Sequence, residues 1–303
     1  MSDPGAALQA RFGDALRRDE PLARYTVARL GGPADWLVAV RSRADLVDAV
    51  RIAQAANLPW LVLGGGANVL AADAGLRGLV IVNRARDFAI AEDGTVTADS
   101  GMNLSTLGRR CMSQGLAGLE WAVNVPGTVG GAVVNNAGAH GGDMAGIVRE
   151  VTLLDAADLS AATWDVAQMD YAYRHSALKG ARDRYVVLGV TLALEPGHDP
   201  ATLNARADAF VAHRKQTQPP GASLGSIFKN PPGDYAGRLI EAAGLKGFAI
   251  GGVQISPVHA NFFVHTGQGT ASDYRALIEH AQAAVEARFG VALALEIECI
   301  GDW

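Results

Sequence analysis

Asn124-Val-Pro-Gly-Thr-Val-Gly-Gly-Ala-Val-Val-Asn-Asn-Ala-Gly-Ala-His-Gly-Gly-Asp143 carries six glycines and neither lysine nor arginine. Glycine lets the backbone turn through positive φ and lets a ligand approach the main chain closely. Successive N–H groups in such turns make an anion-binding concavity that needs no basic side chain. A phosphate-transferring P-loop requires Gly-x-x-x-x-Gly-Lys-Ser/Thr, and this stretch lacks the lysine. It therefore predicts a cofactor held through a buried pyrophosphate, not a nucleotide whose terminal phosphate is transferred.

Upstream, Ser42 with Asp45 three residues later reads as a helix start, and Leu46, Val47, Val50 and Ala53 share one helical face. After Pro59, Trp60 to Leu63 is a short strand that runs into a second glycine loop, Gly64-Gly65-Gly66-Ala67-Asn68. Strand character returns at Leu79 to Val82 with no long helix between, and Gly-x-Gly-x-x-Gly is absent, which disfavours a dinucleotide-dehydrogenase fold. A strand over Thr95 to Ser100 precedes an amphipathic helix carrying Leu104, Leu107 and Cys111. Strands are predicted over Glu150 to Asp155 and Tyr185 to Leu194, and a helix over Thr202 to His213. Gln218-Pro219-Pro220-Gly221 is the sharpest break. Beyond it, Thr270 and Asp273 cap a helix bearing Tyr274, Leu277, Ile278, Ala281 and Val285, which Gly290 stops. Leu293, Leu295, Ile297 and Cys299 then alternate as one closing strand, with Glu296 and Glu298 on its opposite face. This last third has an α+β rhythm of its own.

The 303 residues are enough for two or three compact units. An apolar share of 49% and a charged share of 19% describe an ordinary globular protein. A net charge of −5 leaves no general basic surface for nucleic acid, and Arg109-Arg110 reads as a solvated helix face. Cys111 and Cys299 form no Cys-x-x-Cys pair, and the seven histidines show no ligand spacing, so no disulfide framework and no metal site is expected. Met1 to Arg18 lacks the apolar core of a signal peptide, and no apolar run is long enough to span a bilayer. The expectation is a cytoplasmic protein with no membrane and no obligate protein partner.

Three further stretches could carry chemistry. Ser223-Leu224-Gly225-Ser226-Ile227-Phe228-Lys229-Asn230-Pro231-Pro232 packs hydroxyls, a lysine and an amide into a turn that could equally satisfy only its own backbone. No Gly-x-Ser-x-Gly elbow or neighbouring histidine activates Ser226 as a nucleophile, so proton donation suits it better than covalent catalysis. Tyr171-Ala172-Tyr173-Arg174-His175-Ser176 sets an arginine among aromatics, where its fixed planar charge suits a carboxylate or an enolate, or a structural ion pair. Glu296 alone would be a solvated carboxylate.

Taken in order, these motifs resemble a known family. Tyr25-Thr-Val-Ala-Arg29-Leu-Gly-Gly-Pro-Ala34, Leu63-Gly-Gly-Gly-Ala-Asn-Val-Leu70, Val125-Pro-Gly-Thr-Val-Gly-Gly-Ala132 and Asn136-Ala-Gly-Ala139 come first. Tyr173-Arg174-x-Ser176, Gly225-Ser-x-Phe-Lys-Asn-Pro231 and His259-Ala-Asn-Phe262 complete the set. The chain is similar to the UDP-N-acetylenolpyruvoylglucosamine reductases, flavoenzymes of peptidoglycan precursor synthesis. The resemblance implies an α+β fold for the whole chain, with a two-lobed FAD-binding domain of the vanillyl-alcohol-oxidase type (lobes at 1–78 and 79–200). It adds a substrate-binding domain at 201–297, with a strand over 298–303 returning to the first lobe. FAD would be held non-covalently by Gly64, Gly65, Gly66, Ala67, Asn68, Gly127, Thr128, Gly130, Gly131, Asn136 and Ala137. NADPH would be the hydride donor, and the enolpyruvyl ether of UDP-N-acetylglucosamine would be reduced to UDP-N-acetylmuramate. Arg174 and Glu296 match the pair that polarises the substrate carboxylate, and Ser226 matches the general acid. Tyr173, Lys229, Asn230 and His259 match positions that hold the UDP-sugar.

The chain departs from the family pattern in three places. Tyr25 stands where asparagine is usual, and Glu298 where arginine is usual. The short interval from Arg174 to Ser226 is like that of a compact subclass lacking a substrate-capping insertion. Two other readings stay open from the residues: an FAD-dependent oxidase of a small alcohol, with His140 the attachment site to check, and a flavin-free sugar-nucleotide binding protein.

Overall fold

Ser42 accepts a hydrogen bond from the Asp45 N–H at 3.1 Å, so α2 (Arg43–Ala55) begins where its capping sequence requires. In this computed structural model, which describes residues 4–303, the chain divides into two units. The first contains residues 4–18, 36–65 and 78–212, and the second 19–35, 66–77 and 213–303.

One four-stranded sheet has the order β1-β2-β5-β3, from β1 (Leu16–Pro21), β2 (Pro33–Val40), β3 (Trp60–Leu63) and β5 (Leu76–Asn83). β3 and β5 run parallel, with Trp60 opposite Leu79 and Leu63 opposite Val82. α2 lays Leu46, Ala49, Val50 and Ala53 on Val38, Val40, Leu79 and Ile81, with Leu8 of α1 (Pro4–Phe12) in the same cluster. Each fully buried Leu, Ile or Val among them contributes about 1.5–3 kcal/mol.

The other sheet is antiparallel, of order β11-β10-β12-β7-β6, from β6 (Phe88–Ile90), β7 (Thr95–Asp99), β10 (Val148–Asp155), β11 (Ser160–Asp165) and β12 (Tyr185–Ala193). Helices α3 (Leu104–Ser113) and α4 (Val129–Asn135) pack on its core through Leu104, Leu107, Cys111, Val129 and Val133. After α4 comes a small hairpin, β8 (Gly138–Ala139) with β9 (Gly142–Asp143), and after β11 the single turn α5 (Val166–Met169). α6 (Pro200–Thr217) is longer at both ends than the sequence predicted. Its start moves forward because the Asp199 carboxylate accepts the Thr202 N–H at 3.0 Å.

The second unit holds a sheet of order β13-β16-β15-β14, from β13 (Ala222–Ser226), β14 (Ala249–Ile250), β15 (Val253–Ile255) and β16 (Phe262–His265). Helices α7 (Ala236–Ala242) and α8 (Ala271–Phe289) cover it. Thr270 and Asp273 form the predicted capping box, and Gly290 ends α8 at φ 66°. Asp73 adds a second cap by accepting the N–H groups of Ala271 and Ser272, each at 2.8 Å.

One expectation fails here. Leu293 to Cys299 is not one continuous strand, because the segment changes partners. Lys229 N–H donates to Ala294 O and Glu296 N–H to Ile227 O, each at 2.8 Å. Glu298 N–H then turns to Asn68 O, and only β17 (Glu298–Ile300) forms, parallel to β4 (Val69–Ala71). Alternation in sequence reports burial, and two successive partners satisfy it as well as one.

Candidate functional site

The two glycine loops meet through their main chains. A Cβ built on Gly65 would lie 2.8 Å from Gly127 Cα, and one on Gly64 would lie 2.4 Å from Thr128 Oγ1. Gly66 has φ 62°, and a Cβ there would stand 2.0 Å from Tyr25 O. Gly130 fits against Ser100, whose Cβ would be 2.8 Å away. Among the described residues, the N–H groups of Gly127 and Thr128 donate to no protein acceptor. Unspent amides on a glycine-rich loop with no basic side chain fit the pyrophosphate of FAD. Gly131 N–H is taken by the Thr128 hydroxyl at 3.4 Å, which caps α4.

The remaining cofactor-binding candidates shape these loops. Asn68 Nδ2 donates to Glu296 O at 3.1 Å. Asn136 leaves α4 at φ 41°, accepts Ala145 N–H at 2.9 Å and donates to Ala172 O at 3.0 Å. Ala137 N–H donates to Ala132 O at 2.9 Å.

Through Asn136 the exit of α4 also sets Arg174. The turn Ala172–His175 is closed by hydrogen bonds between those two residues, and Arg174 sits at φ 54°, a conformation unfavourable for a side chain of its size. Its Nη2 donates to Gly138 O at 2.8 Å and its Nη1 to Asn136 O at 3.5 Å, with the guanidinium 5.4 Å from the Tyr173 ring centre. Buried Ser176 ties the turn down by donating to Val134 O at 2.6 Å. Arg174 is thus half-buried and aimed by neutral carbonyls, while Tyr173 stands 54% exposed beside it.

In the second unit, Ser226 owes its orientation to a bulge. β13 pairs Ser223 with Val264 and Ser226 with Phe262, so three steps on one strand match two on the other. The extra residue brings Ser226 to the face that Ser223 occupies, and Gly225 absorbs the distortion at φ 77°. Among the described residues the Ser226 hydroxyl makes no hydrogen bond. Ile227, next in sequence, accepts the Glu296 N–H, so the two residues are brought together through one peptide. Glu296 and Glu298 are both half-buried.

Lys229 is held by its main chain at Ala294 O, and Asn230 Oδ1 accepts Ala236 N–H at 3.1 Å, starting α7. His259 uses Nδ1 to accept the Asn261 N–H at 3.2 Å, which leaves Nε2 to carry the proton. Burial pushes its pKa below the usual histidine value. His140 has its ring stacked on Phe210 at 4.2 Å, beside a cavity of ≈ 320 Å³ lined by Trp121, Asp143 and Arg206.

Sequence reasoning passed over two residues. Asn261 is 3% exposed and clamps the main chain after Ser226. Its signal was present in His259-Ala-Asn-Phe262, where an amide between apolar neighbours demands a buried partner. Tyr171 has a buried hydroxyl without a partner among the described residues, and burial together with the charge of Asp143 raises its pKa. No sequence signal marks it beyond its place in the Arg174 motif.

Comparison with known proteins matches residues 34–158 to an FAD binding domain and residues 216–300 to the C-terminal domain of UDP-N-acetylenolpyruvoylglucosamine reductase. The reductase of Synechococcus sp. (strain WH7803) is 45% identical over 291 residues, covering 94% of this chain and 93% of its own. That of Streptococcus agalactiae serotype III is 40% identical, covering 95% of each chain. The crystal structure of the Thermus caldophilus reductase superposes with a TM-score of 0.80 at 33% identity, covering 94% of this chain and 99% of its own.

Proposed function

From a chain that belongs to the UDP-N-acetylenolpyruvoylglucosamine reductase family, we infer how its residues divide the family's work. The protein is an FAD-containing oxidoreductase that reduces the enolpyruvyl ether of UDP-N-acetylglucosamine to UDP-N-acetylmuramate, with NADPH as donor. When bound, FAD would supply the hydride chemistry that links NADPH to the enolpyruvyl group. Everything else falls to the polypeptide.

The loops Gly64 to Asn68 and Gly127 to Gly131 hold the cofactor phosphates, the second through the N–H groups of Gly127 and Thr128, with Asn136 and Ala137 fixing the exit of α4. Arg174 binds the substrate carboxylate and stabilises the charge that spreads onto it as C3 is reduced. The Gly138 and Asn136 carbonyls accept from its guanidinium and fix its direction. Glu296 works on the same carboxylate by hydrogen bonding, and Ser226 delivers the proton to C2. A serine hydroxyl is a weak acid, so Lys229 or a water must resupply its proton. Tyr173, Lys229, Asn230 and His259 hold the UDP-sugar, with His259 offering its Nε2–H. Residues 1–78 and 79–200 serve as the FAD lobes and 201–297 as the substrate domain, with 298–303 returning to the first lobe. We place the protein in the cytoplasm without an obligate protein partner; among the described residues no helix is long and apolar enough to cross a membrane.

The observation that carries the assignment of roles is Ser226, lifted by a bulge onto one face with its hydroxyl unengaged. The test is anaerobic. NADPH should bleach the flavin band near about 450 nm, and the enolpyruvyl UDP-sugar should restore it. A protein that takes up no FAD, or whose reduced flavin ignores the UDP-sugar, refutes the reading.

A further inference from the structure

Ser226 is followed by a segment that should have lost its strand partner, because β16 begins only at Phe262. Ile227 N–H still finds Asn261 O at 2.9 Å. For the next residue, the Asn261 side chain replaces a strand. Its Oδ1 accepts Phe228 N–H at 3.0 Å and its Nδ2 donates to Phe228 O at 2.8 Å. Asn261 therefore reproduces both halves of a main-chain pair, in a site with 3% exposure. The opposite edge of residues 227–229 carries Ala294 to Glu296, through Lys229 N–H to Ala294 O, Glu296 N–H to Ile227 O and the bridge between Phe228 and Leu295. One buried amide thus braces the short segment from which both Ser226 and Glu296 hang. The Asn261 main chain is itself fixed by His259 Nδ1.

We infer that Asn261 is a positioning residue for the reaction: by standing in for a missing strand it sets Ser226 and Glu296 together. The inference rests on the roles proposed for those two residues. Asn261 touches neither substrate nor cofactor in this role, and acts through the peptides of Ile227 and Phe228. Carboxylate binding and proton delivery then share one support, so a change at Asn261 reaches both without altering either group.

Asn261→Asp keeps the acceptor for Phe228 N–H and removes the donor to Phe228 O. A shift of about 1 Å in a reacting group slows a step about 100-fold. Reoxidation of the reduced enzyme by the enolpyruvyl UDP-sugar should therefore slow about 100-fold, while reduction by NADPH stays within about twofold. In a Ser226→Ala enzyme the same change should slow reoxidation at least about tenfold less, because part of what it misplaces is already gone. Equal slowing of both half-reactions, or the same factor in both backgrounds, would overturn the inference. Should Asn261→Asp fail to yield folded protein, Asn261→Ser leaves room for a bridging water and is judged by the same two ratios. In the unmodified protein the Phe228 amide hydrogen should exchange slowly, and fast exchange overturns the inference with no variant needed. A wild-type enzyme that the UDP-sugar does not reoxidise would instead refute the proposed function.

Discussion

Gly65→Ala isolates the contact between the two glycine loops. The backbone of Gly65 needs no left-handed conformation, so alanine is opposed there by space alone. Its Cβ would lie 2.8 Å from Gly127 Cα and 3.3 Å from Gly127 C, and these main-chain atoms cannot rotate away. Carbon atoms pack at about 3.5–4.0 Å, so the loops must part by roughly 1 Å. A hydrogen bond at about 2.9 Å does not survive that displacement. Losing two bonds to a charged phosphate, at about 1.5–3 kcal/mol each, removes about 3–6 kcal/mol of binding. That is at least a ~100-fold rise in the Kd for FAD. The assay is titration of deflavinated protein with FAD, followed by the flavin absorbance band. Gly64→Ala should do less, since its 2.4 Å neighbour is the Thr128 hydroxyl, which can rotate. Gly180→Ala, with nothing within 4 Å, is the control. Wild-type FAD affinity in Gly65→Ala, or an equal loss in Gly180→Ala, would refute the cradle.

Ser226→Ala should leave reduction by NADPH nearly intact and slow reoxidation by the UDP-sugar about 10²–10⁴-fold, the usual contribution of a general acid; stopped-flow absorbance separates the steps, and equal losses would make Ser226 structural. Glu296→Gln should slow reoxidation about 100-fold, the range found for removing one group that stabilises developing charge, while Glu298→Gln should stay within about threefold. A larger effect at Glu298 would transfer the role there. Burial pushes the Cys111 thiol up to about 12 from an ordinary value of 9.0. The raised value favours the neutral thiol, so its contribution to stability is full below about pH 9 and declines as pH rises from there toward 12. Thiol reagents at pH 8 should miss Cys111 in native protein and label it after unfolding; prompt native labelling would contradict its burial.

The parts of the fold that follow from local chemistry were legible in the sequence. Ser42 and Thr270 start their helices and Gly290 stops one, because caps depend on residues within one turn. The glycine loops were legible as loops, but not as loops that touch, since nothing near Gly65 in sequence names Gly127 as its neighbour. The register of β13 was hidden for the same reason. A bulge is defined by its partner strand, and Gly225 alone does not say whether the chain turns or slips by one residue. The closing strand was overextended because alternating burial has no memory of which partner provides it.

The left-handed φ of Arg174 was equally invisible, yet the structure explains why it is tolerated. Its guanidinium and the Ser176 hydroxyl donate to carbonyls of α4 and its exit, the Asn136 amide donates back to Ala172 O, and together they outweigh an unfavourable backbone angle worth about 1–3 kcal/mol. The turn that presents Arg174 is therefore fastened to the segment that follows the Gly127–Gly131 loop. A perturbation of α4 should be felt both in cofactor binding and at the substrate carboxylate. The Ser226 segment, braced separately by Asn261, should answer in the reoxidation step alone. On the proposed roles, separate supports for the glycine loops and for Ser226 should allow the two half-reactions to be disabled one at a time.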